Sequence, residues 1–244
     1  MPSAQKKGGQ EIVKERVRAK EVMVWVLALV GAAGLLALLA SFPLGGTPRV
    51  MGKAVQEQGT WMVTEANGTQ RMGRVGLSAR DGGRIETLGA AEARLKLSDG
   101  SALVVDGETV VTIGTEGDKR KDVKIELTKG RLLLATKPGE RGYVVKAPGV
   151  QLGATEAMET QVRMSPMGVE IMVITGKVEV TPVGGGKSVT LQGGEVAHLA
   201  GTTVTTEKLS WAGMMEQLAW STAMGVELPE NAPTGPGGAL KMKE

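Results

Sequence analysis

The sequence predicts an all-β domain, a β-sandwich or short β-solenoid, carried by one N-terminal transmembrane helix and followed by a C-terminal amphipathic helix. Three observations predict it. Residues 22–42 carry no charge, apolar residues alternate with polar ones in short segments from residue 84 onward, and a single later stretch places its apolar residues at helical spacing.

The chain has 244 residues and a formal charge of +3. Residues 1–20 hold six Lys/Arg against two Asp/Glu, or +4, which leaves the remainder at −1. The basicity therefore belongs to a tail, expected at 1–20 and cytoplasmic. The uncharged run VMVWVLALVGAAGLLALLASF is long enough at 1.5 Å per residue to cross a hydrocarbon layer of about 30 Å, so residues 21–42 are expected to anchor the chain. Lys6, Lys7, Lys14, Arg16, Arg18 and Lys20 precede the run, whereas only Arg49 follows closely. That asymmetry directs the N-terminus to the cytoplasm and the C-terminal domain across the membrane. A cleaved signal peptide is the alternative, and its usual apolar core of about 7 to 15 residues is shorter than this run.

Pro43, Gly45 and Gly46 mark an exit from the bilayer, and residues 43–58 read as a linker. The β-domain is expected at 59–205. Its first strand falls at 59–64, where Trp61 and Val63 share a face before the Asn67–Gly68 turn signal. Further strands are expected at 93–97, 102–105, 109–113, 123–127, 131–136, 143–146, 150–152, 169–174, 177–181, 188–191 and 196–199. Asp99–Gly100 and Asp106–Gly107 supply turns, and Gly130, Gly176 and Gly193–Gly194 each precede a new apolar segment.

The pattern changes at 206–225. Trp211, Met214, Met215 and Leu218 fall on one helical face, with Glu216 and Gln217 elsewhere. The helix is expected to cover an open edge or end of the β-domain. Alternatively its Met- and Trp-rich face binds a partner, which makes Trp211, Met214, Met215 and Leu218 the partner-binding candidates. Residues 226–244 have too little apolar content to fold alone and read as a flexible tail.

The composition excludes much chemistry. There is no cysteine and one histidine, His198, expected as a half-buried structural residue on its strand. Asp81, Asp99, Asp106, Glu156 and Glu195 read as turn carboxylates rather than calcium ligands. Thr181 stands where a phosphate loop preceding Gly186–Lys187–Ser188 would need glycine, so 181–190 reads as a hairpin turn. With six aromatic residues in all and the basic charge confined to the tail, nucleic acid is not expected as a partner. No catalytic, metal-binding or cofactor-binding residue is expected, and the protein is expected not to be an enzyme.

The order of the segments resembles the FecR domain. LKLSDGSALVVDGETVVTIG at 95–114 leads to VKIELTKGRLLLAT at 123–136. YVVKAPGVQLGATEAMETQV follows at 143–162, with Gly153–Ala154–Thr155–Glu156–Ala157 in place of the family's Gly-Thr-x-Phe signature. VEIMVITGKVEVTPVGGGKSVTLQGGEVAHL at 169–199 completes the order. The resemblance spans about 83–200 and implies a module in the periplasm of a bacterium, anchored in the inner membrane, that binds an envelope or membrane protein in sensing, signal relay or assembly. Sigma-factor or outer-membrane-receptor contact is the family's usual output, and a tail of about 20 residues leaves no room for a folded sigma-binding unit. The alternatives are a structural subunit of a membrane complex and a small-molecule-binding β-barrel or enzyme.

Overall fold

A computed structural model describes residues 48–116, 122–138, 142–224, 226–227 and 241–242. The chain divides into Met1–Thr47 and Pro48–Glu244, and every described residue belongs to the second unit. The expected tail and anchor lie outside the described residues, among which no helix is long and apolar enough to cross a membrane.

In chain order the strands are β1 (Val50–Gln58), β2 (Trp61–Thr64), β3 (Gln70–Met72), β4 (Ser78–Arg80), β5 (Gly83–Thr87), β6 (Glu92–Leu97), β7 (Ala102–Val105), β8 (Val110–Glu116), β9 (Asp122–Lys129), β10 (Arg131–Ala135), β11 (Tyr143–Ala147), β12 (Val150–Ala154), β13 (Glu159–Ser165), β14 (Gly168–Thr175), β15 (Lys177–Pro182), β16 (Val189–Gln192), β17 (Glu195–Ala200) and β18 (Thr203–Lys208). A helix, α1 (Trp211–Leu218), runs on into a 3-10 turn at Ala219–Met224. Two-residue strands β19 (Val226–Glu227) and β20 (Lys241–Met242) pair within the stretch expected to be unstructured.

The strands build two nine-stranded sheets. Sheet A has the order β18-β17-β14-β13-β10-β7-β6-β1-β4, and sheet B the order β16-β15-β12-β11-β9-β8-β5-β2-β3. Apart from the swapped edge pairs β1/β4 and β2/β3, position in each sheet follows position in the chain. The architecture is thus a two-sheet sandwich that grows along one axis as a solenoid does, which combines the two expected alternatives. Neighbouring strands are antiparallel except β9 and β11, which pair in parallel because the chain makes a single-strand visit to sheet A at β10 between them.

Period-two alternation drives this assembly. On β9, Val123, Ile125 and Leu127 are buried while the intervening residues are half-buried, and on β15 Val178 and Val180 alternate with exposed Lys177 and Glu179. The inward residues of both sheets meet in one cluster, from Met51 and Trp61 at one end to Leu191 and Leu199 at the other. Where the chain crosses between sheets, buried threonines close the corners. Thr109 N–H donates to Thr87 Oγ1 at 2.9 Å, Arg131 N–H to Thr109 Oγ1 at 2.9 Å, and Met158 N–H to Thr136 Oγ1 at 2.9 Å. Each satisfies a backbone donor that no sheet ladder reaches.

Three expectations are corrected. Residues 50–58 are not linker but β1, which sits between β4 and β6. Its alternation is hidden by register breaks between Val50 and Gly52 and between Ala54 and Gln56. The β-domain runs past 205, because residues 203–208 form edge strand β18. The helix is shorter than 206–225, because residues 207–208 end β18 and Ser210 caps α1, its Oγ accepting the Gly213 N–H at 3.2 Å. The expected strands all form, and β1, β3, β4, β5, β13 and β18 join them.

The corner beside Gly130 yields a test. Its φ is +89°, and an added Cβ would lie 2.2 Å from Thr109 Oγ1, whereas Gly68, at φ +83°, has nothing within 4 Å. Gly68→Ala is expected to lose about 1–2 kcal/mol from left-handed backbone strain alone. Gly130→Ala adds the clash, so its urea unfolding midpoint is expected to fall further, by about 1–3 kcal/mol in equivalent stability. Equal losses would show that the threonine corner is loose.

Candidate interaction surface

The outer face of sheet A is where α1 and the 3-10 turn after it come to rest. Most strands alternate, but β7, β10 and β14 carry unbroken apolar runs, ALVV, LLL and IMVI, buried on both faces. Their outward residues Val104, Leu133, Met172 and Ile174 join Val196 of β17, Met214 and Leu218 of α1 in a second buried cluster, flanked by Leu209, Trp211 and Trp220. Leu133 and Val104 lie opposite one another, as do Met172 and Val196, so the apolar strip crosses the sheet.

The four helix residues separate on this surface. Met214 and Leu218 are buried in the second cluster, Trp211 is half-buried against it, and Met215 is half-buried elsewhere on the helix. The helix covers a sheet face rather than an edge.

Polar contacts hold its far end. Trp220 Nε1–H donates to Gln161 Oε1 at 2.8 Å, and the Arg131 guanidinium lies 4.4 Å from the indole centroid. Arg131 Nε also donates to Asp106 Oδ2 at 2.6 Å. Beyond Asp106, opposite it on β6, stands Glu92, whose Oε2 is buried with no hydrogen-bond partner. Burial and then the Asp106 charge push the Glu92 carboxyl above its ordinary value, with Arg131 opposing.

The same row continues toward the β18 edge. Arg163 Nη2 pairs with Glu170 Oε2 at 3.1 Å, and His198 stands between Glu170 and Glu207, at 3.7 and 3.2 Å. His198 is exposed rather than half-buried, because the outer face at β17 and β18 extends beyond the helix cover. At the rim, a cleft of about 560 Å³ lies among the turns near Glu108, Lys129 and Pro166. Its cations are matched: Lys129 pairs with Glu108 at 3.2 Å, and Arg131 with Asp106.

The other carboxylates singled out in the sequence serve turns. Asp99 accepts the Tyr143 hydroxyl at 2.5 Å and the Ser101 N–H at 2.9 Å. Burial raises this carboxyl, but those hydrogen bonds outweigh it and hold it below its ordinary value. Asp81 binds the Thr115 N–H and hydroxyl, and Glu195 the Gln192 N–H. Thr181 and Ser188 bond across the β15–β16 hairpin at 3.0 Å.

One further surface is open. Among the described residues β18 is paired on one side only, by β17, and five of its six residues are exposed. Its free edge presents backbone donors and acceptors for a further strand. Sequence alternation missed it because TVTTEK has a single apolar residue.

From β5 into β15, residues 83–179, the chain matches the family model described as FecR protein. This stretch is FecR-like. Two crystal structures of a provisionally assigned anti-sigma factor from Parabacteroides distasonis ATCC 8503, at 1.65 and 2.50 Å, are similar at 18% identity and TM-score 0.48, over 56% of this chain and 63% of that one. This chain thus spans less than two thirds of that protein's length. A cell surface anchoring domain is similar at 23% identity and TM-score 0.26, over 26% of this chain and 84% of that one. No curated protein sequence matches.

Two substitutions test how the helix is held. The raised Glu92 value means the folded state binds that proton more tightly than the unfolded chain. Its contribution is therefore full below the ordinary glutamate value and is lost as pH rises through the raised folded value. Glu92→Gln is expected to unfold at a higher temperature than the parent at pH 7, with the gain fading near about pH 4. Trp220→Phe keeps a ring over Arg131 but removes the bond to Gln161. It is expected to cost about 0.5–1.5 kcal/mol and to speed hydrogen exchange across residues 211–220 before the strands respond.

Proposed function

We propose that this FecR-like protein is a non-enzymatic binding module, anchored in a bacterial inner membrane and facing the periplasm, that recognises another envelope protein in signal relay or sensing. The FecR match supports the module and the general role. The uncharged run at 22–42, with its basic flank on the N-terminal side, supports the anchor and its direction.

The observation that carries the binding mode is the open edge of β18 beside α1. A partner strand added there would gain a ladder of backbone hydrogen bonds, as edge-binding peptides do, and half-buried Trp211 and Met215 stand at the start of the helix that follows that strand. Met214 and Leu218 act differently from a partner-binding pair, because they hold the helix onto sheet A from within. Their contribution to recognition is to fix where Trp211 and Met215 stand.

Site-specific photo-crosslinking in intact cells, followed by mild detergent extraction and mass spectrometry, tests the proposal. A photoreactive residue at Thr205 is expected to capture a reproducible envelope protein. The same residue at Gln151, exposed on interior strand β12 of sheet B, is expected to capture little. Equal capture at both positions, or none at 205, removes β18 from the mechanism. A constant stoichiometric set of inner-membrane proteins would make the chain a structural subunit instead.

A further inference from the structure

The two ends of the sandwich differ in chemistry, and the end nearer the N-terminus has the character of a lipid-facing surface. Edge strand β3 of sheet B is joined to edge strand β4 of sheet A by residues 73–77, which close the core over Trp61. Gly73 passes so near that a Cβ there would lie 2.0 Å from the indole ring. The closing segment Gln70 to Arg80, QRMGRVGLSAR, contains Arg71, Arg74 and Arg80 and no acidic residue. Its apolar tips are not folded inward: Met72 is 61% exposed and Val75 58%, with Val50 on adjacent β1 at 44%. Lys53 is also exposed, on β1 where it lies opposite Ser78 of β4. The nearby acids are engaged, Glu65 with Arg71 at 3.1 Å, Glu57 with the Trp61 indole N–H at 2.8 Å, and Asp81 with Thr115.

Exposed apolar tips among arginines, with Glu65 already held by Arg71, match a bilayer interface: the tips enter the headgroup region and the other guanidinium groups meet lipid phosphates. We propose that this end, built from 70–80 and the start of β1, rests on the anionic phospholipid leaflet in which the chain is anchored. The inference rests on the anchor reading. Seven residues lie between Phe42 and Val50, eight chain steps with a reach of at most about 28 Å, so a domain tethered at 42 keeps β1 close to the leaflet whatever its orientation. Docking at this end selects one orientation. It stands the sandwich upright and lifts the β18 and β16 edges away from the lipid by eight strand spacings, about 38 Å, toward partners in the periplasm.

The chain has no cysteine, so single reporters are readily placed. The full-length protein, carrying Val75→Cys or Val183→Cys with a bimane label, is reconstituted in nanodiscs containing doxyl-quencher lipid. One set of discs contains phosphatidylglycerol with phosphatidylethanolamine, the other phosphatidylcholine alone. Val183 is comparably exposed, at 61%, but lies beyond β15 near the opposite end. In anionic discs the label at 75 is expected to be quenched several-fold more than the label at 183. Phosphatidylcholine discs, or Arg74→Glu in anionic ones, are expected to bring it near the 183 level. Retention of the protein in the discs with equal quenching at 75 and 183 overturns the inference alone. Loss of the protein from the discs after alkaline carbonate washing overturns the anchor reading, and the inference falls with it.

Discussion

The whole domain depends on two sheets sharing one dry core, to which almost every strand must deliver alternate side chains. Because side chains repeat every two residues, a one-residue slip of any strand would turn its Val, Ile and Leu outward, so register is strongly held throughout. The strand direction follows from the same economy. Each connection reverses the chain, odd and even strands run oppositely, and neighbours within a sheet are antiparallel unless an odd number of strands intervenes, as at β9 and β11. Hairpins alternate between the two sheets, with single visits at β4, β5 and β10, which leaves mostly local pairing and a domain that grows in sequence order.

Such a stack has two ends and two outer faces, and each had to be resolved differently. Sheet B leaves its outer face polar, with its charges paired along a strand, as Lys124 with Glu126 on β9 at 3.0 Å, or across strands, as Lys146 with Glu116 at 2.7 Å. Sheet A could not do the same, because β7, β10 and β14 place Val104, Leu133, Met172 and Ile174 outward in a contiguous strip. Fully burying side chains of that size is worth about 1.5–3 kcal/mol each, far more than the single hydrogen bond at Trp220. The apolar strip therefore decides that the helix docks, and the polar row from Glu92 to His198 decides where along the sheet it stops.

Much of this was legible in the sequence, and the gaps have physical causes. Alternation located the inner strands because burial on one face imposes it. It failed at β1, where two register breaks disrupt the period, and at β13, where Glu159, Thr160 and Gln161 are buried yet polar. There Thr160 Oγ1 donates to the Met172 carbonyl at 3.0 Å and Gln161 receives Trp220, so the polar groups are satisfied by partners distant in sequence. The helix was legible as a helix, but its docking place was not read from the strands, although the signal was present. The unbroken runs in β7, β10 and β14 stand out from their alternating neighbours, and two-faced burial is the reason a strand abandons alternation.

The remaining asymmetry lies in the edges. At the β3/β4 end the edge strands are three residues long and a loop folds over the core, which leaves little backbone to pair. At the other end β18 is six residues long, unbroken in its register with β17, and, among the described residues, unpaired on its outer side. An edge of that length invites aggregation unless something guards it, and Glu207 and Lys208 at its end guard only part. A module that must recruit another chain needs one such edge and must not have two, because two would propagate into fibres. Closing one end with arginine-flanked apolar tips and leaving the other as a bare ladder satisfies both requirements within a single sandwich.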